Sequence, residues 1–167
     1  MENINTLRTI WIDGPDSRLS SWRTFRQENK NTELHELCSR AALWWSAAPT
    51  CSISIDPYEI SSWPDAWELL HAGEICKFSA ALGIAYTIHY IKSDENVVIM
   101  RVFDSDKDDI YNATLINNSL LLGSSNGQAV DFEIAGVSNL EVALWIQNNT
   151  DFDQLILEYW NEDEGAN

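Results

Sequence analysis

The chain has 167 residues, of which 26 are acidic and 10 basic, for a formal charge of −16. This excludes a nucleic-acid binder that works by neutralising phosphates, which needs clustered Lys and Arg. With 45% hydrophobic and 11% aromatic residues, the composition fits one cored domain rather than a disordered acidic chain. No apolar run reaches the roughly 18 residues that span a bilayer, and Met1-Glu2-Asn3 lacks the basic-then-apolar plan of a signal peptide. The expectation is a cytoplasmic protein with no membrane partner.

Leu7 to Ile12 alternates and ends at Asp13-Gly14-Pro15, which predicts a short strand and a turn. Asp16 or Ser17 can then cap a helix carrying Leu19, Trp22, Phe25 and Arg26. A second helix is predicted after Thr32 as N-cap. Its stripe of Leu34, Leu37, Cys38, Ala41, Trp45 and Ala48 follows helical spacing, and Pro49 stops it. After a loop over 50–63, a short helix is expected with Pro64 at its first position and Gly73 at its stop.

The segment Ile75 to Ile91 is apolar or small on nearly every side, which predicts a helix buried all round. Ala80, Ala81 and Gly83 would let neighbouring elements approach it closely. The period then changes, and strands are predicted over 97–103, 110–116, 120–122 and 129–134. Ser138 is placed to cap a short element through Leu140, Leu144 and Trp145, and Asp151 to precede another through Trp160. The plan is α+β: a helical N-terminal half with a buried central helix packed on an antiparallel sheet, in one domain over 1–160 with an acidic tail over 161–167.

Cys38, Cys51 and Cys76 are an odd set without CxxC spacing. This points away from a disulfide framework or structural zinc and toward a reducing compartment. The acidic turn Asp104 to Asp109 offers carboxylates at positions one, three and five of a calcium loop. Asp109 and Leu115 stand where that loop needs Gly and Glu, so a solvated hairpin tip is expected and no metal. No cofactor is expected.

Eight tryptophans are mostly core material. Adjacent residues diverge by about 100° on a helix, so with Trp45 on the buried stripe, Trp44 is expected at a partner surface, together with Trp63 and Trp67.

Cys76 is predicted to open the buried helix, where free N–H groups and the helix dipole stabilise a thiolate. The run Trp63-Pro64-Asp65-Ala66-Trp67-Glu68-Leu69-Leu70, continuing through Gly73-Glu74-Ile75-Cys76 to Ser79-Ala80, resembles the approach to the nucleophile in transglutaminase-like, papain-like cysteine peptidases. The resemblance implies that fold over residues 63–134, with Cys76 as nucleophile, a histidine on the second strand after the helix and an aspartate on the third. The histidine position falls at Asn112 and the carboxylate position near Asn117 and Asn118. No histidine follows His89. On one continuous helix, His89 would lie roughly 20 Å from Cys76.

An amide cannot take up the thiol proton, so the leading expectation is a degenerate, non-catalytic scaffold acting as a structural or interaction protein. The alternative is an active cysteine hydrolase or acyltransferase using Cys76. A third reading is an acidic mimic of DNA, against which the scattered acids count. Trp11 to Arg23, Trp63 to Leu70 and Ala81 to Thr87 are also similar to small proteins of marine tailed phages. That likeness implies other proteins as partners, phage structural proteins among them, and a place in the host cytoplasm or the virion.

Overall fold

A computed structural model describes residues 3–52, 54–104, 109–117, 119–122, 130–131 and 140–148. The expected elements at 151–160 and the tail at 161–167 lie outside them. Among the described residues, five α-helices precede five strands: α1 (Ile4–Asp13), α2 (Pro15–Glu28), α3 (Leu34–Ser46), α4 (Ala66–Ala72), α5 (Lys77–Ile91), β1 (Val97–Asp104), β2 (Asp109–Ile116), β3 (Leu120–Leu122), β4 (Val130–Asp131) and β5 (Leu140–Asn148). The class is α+β, as the sequence implies.

The first segment is a helix and not the expected strand. Asn3 caps it by accepting the Asn5 N–H at 3.0 Å, and Leu7 and Trp11, four apart, form its buried face. Gly14, at φ +134, separates α1 from α2. It takes the N-cap position in place of Asp16 or Ser17, with Pro15 opening the helix and Asp16 in its first turn. For α3 the cap is Glu33 rather than Thr32, its carboxylate accepting the N–H groups of His35 and Glu36. Asp65 and Glu68 form a reciprocal capping box on α4, which leaves Pro64 outside the helix. Gly73 ends α4 in the left-handed region, at φ +75.

The central helix forms where the sequence places it, with ten of its fifteen residues buried. Trp22 Nε1 and Trp45 Nε1 donate to Thr87 Oγ1 at 3.0 and 2.8 Å, and that hydroxyl donates to the Gly83 carbonyl at 2.8 Å. One donor and two acceptor sites are all a hydroxyl has, so α2, α3 and α5 meet at a fully satisfied group. Arg18 is buried on α2 and ties α1 to α4, donating to the carbonyls of Trp11, Leu70 and His71. Those acceptors lie in the last turns of two helices, where carbonyls lack intrahelical partners.

The sheet order is β4-β3-β2-β1-β5, every neighbouring pair antiparallel. Residues 140–148 are therefore a strand on the outer side of β1, which corrects the element expected to start at Ser138. Leu140, Leu144 and Trp145 suit helical spacing, but Val142, Leu144 and Ile146 alternate equally well, and pairing decides between them. Of the strand expected over 129–134, the described part is Val130–Asp131. The main core lies between the helices and the sheet face carrying Val97, Ile99, Ile116, Leu120 and Leu122. A second cluster of Val98, Met100, Ala113, Leu115 and Leu121 occupies the opposite face.

Candidate active site

Cys76 is the N-cap of α5, in extended backbone at φ −84 and ψ 170, and is buried. The segment after α3 runs alongside it. Thr50 pairs with Ile75 in a parallel bridge, with hydrogen bonds from Ile75 N to Pro49 O at 2.9 Å and from Cys51 N to Ile75 O at 3.0 Å. Residues 49–52 and 54–62 thus form a strap over the start of α5, which includes the short 3₁₀ turn Ile60–Ser62.

The Cys76 sulfur lies 3.1 Å from Ser79 Oγ. Burial by itself pushes the thiol up. The N–H of Ile55, the Ser79 hydroxyl and the N–H groups of Ser79 and Phe78 outweigh it, so the thiol stands below its ordinary value. The thiol makes no capping hydrogen bond to the α5 backbone; the N–H dipoles of the first turn act on the thiolate. The sequence marks the helix start but not the strap, whose Ile55 N–H comes from a long loop. Ser79 was legible as the third residue after an N-cap, a position that faces the cap.

β1 follows α5 through a short link, and β2 turns back against β1, so β2 runs beside α5 in the same direction. Thr114 fixes the level: its hydroxyl donates to the Ala81 carbonyl at 2.6 Å. Asn112, two residues earlier on the same face, therefore lies level with the first turn of α5. Its Oδ1 is buried and makes no hydrogen bond among the described residues. The chain thus brings the expected base position to the Cys76 end of the helix and fills it with an amide.

The carboxylate position does not follow. Asn117, at φ 51, hydrogen-bonds Asn96, its Oδ1 accepting that N–H at 2.9 Å. It therefore sits at the C-terminal end of α5, away from Cys76, because the β2–β3 turn must close there. Asn118 lies outside the described residues. His89 is on the same unbroken helix as Cys76, His35 is exposed in the first turn of α3, and His71 is exposed in the last turn of α4.

The three tryptophans expected at a partner surface divide. Trp44 is 1% exposed and buried under α1 and α2, its ring 5.1 Å from Trp11 and 6.5 Å from Phe25, while Trp45 faces α5. Helix α3 is covered on two sides, so the divergence of adjacent side chains leaves neither in solvent. Trp63 is also buried, against Phe78 at 5.0 Å, with no hydrogen bond at Nε1 among the described residues. Trp67 is 46% exposed, and it meets Trp22 at 5.7 Å and Tyr90 at 5.5 Å. Tyr90 is 44% exposed, and the Arg26 guanidinium lies 4.0 Å over the Trp22 ring. No local pattern in the sequence marks Tyr90 as a neighbour of the Trp22 and Trp67 rings, because the contacts join residues on three different helices.

Asp104 and Asp109 are register partners in the β1–β2 ladder, and 105–108 lie outside the described residues. Among the described residues no group of three or more His, Cys, Asp or Glu side chains is arranged to hold a metal, and no helix is long and apolar enough to cross a membrane.

A cysteine opening a buried helix that packs on an antiparallel sheet is the arrangement of the transglutaminase-like fold, and that is the fold of this chain. No family model and no curated protein sequence matches it. Solved structures do. Calcium-bound LapG from Legionella pneumophila is similar with a TM-score of 0.64 and 11% identity, over 86% of this chain and 83% of that one. EGTA-treated LapG from the same organism gives a TM-score of 0.65 and 10% identity, over 87% and 82%. At such identity the likeness is one of fold.

Proposed function

We propose that this chain is a non-catalytic structural or interaction protein built on a transglutaminase-like scaffold. The observation that carries this reading is Asn112, an amide whose buried oxygen has no partner among the described residues and which lies at the level where a base would have to face Cys76. A thiol without a base forgoes about 10²- to 10⁴-fold of proton-transfer catalysis. The Trp67 and Tyr90 face, backed by Trp22 and Arg26, supplies the aromatic and Arg chemistry that dominates protein interfaces. Its placing as a minor component of a tailed-phage particle or its assembly, in the host cytoplasm or the virion, rests on the sequence likeness alone.

The test is turnover of activated esters and peptides by the full chain. No rate above that of Cys76→Ala is expected, and a Cys76-dependent rate overturns the reading. One observation favours the opposite reading, an active cysteine hydrolase or acyltransferase: the thiol stands below its ordinary value. The same assay decides between them. For the virion placing, the chain is expected to co-sediment with intact particles, and Trp67→Ala to lower its occupancy.

A further inference from the structure

All three cysteines are thiols, and the strap brings two of them together. The parallel bridge between Thr50 and Ile75 sets the next two residues, Cys51 and Cys76, opposite one another. The 3.0 Å hydrogen bond from Cys51 N to Ile75 O, the carbonyl bonded directly to the Cys76 nitrogen, ties their backbones. With standard bond lengths it holds the two Cα atoms about 5–7 Å apart, which overlaps the span a disulfide needs. Both side chains belong to one apolar cluster, Cys76 buried and Cys51 half-buried.

We propose that Cys51 and Cys76 are a redox pair that closes to a disulfide on meeting a small disulfide such as oxidised glutathione. Cys51, the more accessible, loses its proton to solvent and attacks one sulfur of the small disulfide. That S–S bond breaks, one small thiolate leaves, and a mixed disulfide stands at Cys51. The Cys76 thiolate then attacks the Cys51 sulfur and expels the second small thiolate. Two protein thiols and one small disulfide become one protein disulfide and two small thiols, with two electrons passing to the small molecule. The low-lying Cys76 thiol suits it to the resolving step, which needs no entry of the small molecule into the core. Closure draws the sulfur out of the N–H groups at the start of α5 and staples the strap to the helix. Cys38 is an internal control: it is fully buried, and burial, with the Glu33 and Glu95 carboxylates, pushes its thiol up to about 12.

The experiment incubates the folded full chain with excess oxidised glutathione at neutral pH and maps unreduced peptides by mass spectrometry. A single link between the Cys51 and Cys76 peptides is expected, with Cys38 unmodified and the melting temperature raised by about 5 °C. Cys76→Ser is expected to hold a lasting glutathione adduct on Cys51, and Cys51→Ser to leave Cys76 unmodified. Separate adducts on the two cysteines, a link through Cys38, or survival of both thiols in the wild-type chain overturns the proposal.

Discussion

A Cβ built on Gly83 would lie 2.5 Å from the ring of Trp45. The glycine in the middle of α5 is therefore a seat for the indole, and the helix-propensity cost of Gly, about 1 kcal/mol, is the condition for packing α3 that closely. Gly83→Ala is expected to destabilise the protein by about 1–3 kcal/mol despite its gain in propensity. Denaturant unfolding checks it, with Ser46→Ala on the exposed end of α3 as the neutral control.

Thr87 anchors the same contact through its hydroxyl. Thr87→Val keeps the shape and strands two buried indole N–H groups, so a loss of about 2–5 kcal/mol is expected, in the range of unpaired buried donors. Thr87→Ser, which keeps the hydroxyl, is expected to recover most of it. Equal losses for both variants would show that the methyl packing, and not the hydrogen bonds, carries the site.

Arg18 reaches three carbonyls at the ends of α1 and α4, and its guanidinium carbon would stand 2.8 Å from a Cβ on Gly73. Arg18→Lys keeps the charge and loses the fork, so thermal unfolding should fall by several degrees, with a loss of about 2–3 kcal/mol. Gly73→Ala is expected to cost at least as much, since it meets both the left-handed backbone and the guanidinium.

The two core cysteines should titrate in opposite directions. Cys38 stays protonated in the fold and ionises more readily unfolded, so its contribution to stability is complete below about pH 8.5 and is lost as pH rises from there toward about 12. Cys76 is held below its ordinary value, so its contribution is present above the unfolded thiol range and lost as pH falls through its folded value. Cys38→Ala should flatten the alkaline side of the stability curve, and Cys76→Ala should leave that side in place. Urea midpoints across pH 6–11 read both.

Asn112→His tests the site directly. With β2 carrying this position to the start of α5, the variant is expected to speed alkylation of Cys76 by iodoacetamide about tenfold or more, short of the roughly 10²- to 10⁴-fold of a fully positioned base. An unchanged rate in a folded variant would place residue 112 out of reach of the sulfur.

Much of this architecture was legible because local signals agree: α3 and α4 carry periodic apolar faces, acids in their first turns and Pro49 and Gly73 at their stops, while α5 is apolar or small nearly all round. The first helix was not, since Leu7, Ile10 and Trp11 satisfy helical spacing inside a stretch that also alternates, and only the Asn3 cap and burial against Trp44 and Trp45 break the tie. β5 inverts that error, because a partner distant in the chain sets its conformation. Trp44 shows a further limit: a periodic stripe identifies one packed side of a helix, and no local pattern announces that a second layer covers the other. At the site, Cys76 was visible from its position before an apolar helix, while the strap that closes over it came from long-range pairing.

The placing of β5 outside β1 has a consequence for how the molecule is made. Until residues 140–148 leave the ribosome, β1 offers a bare row of amide and carbonyl groups along one flank, beside apolar side chains on both faces. A nascent or truncated chain ending before that strand would carry an open template for strand exchange, so shortening from the C-terminus should yield aggregates rather than a smaller soluble domain.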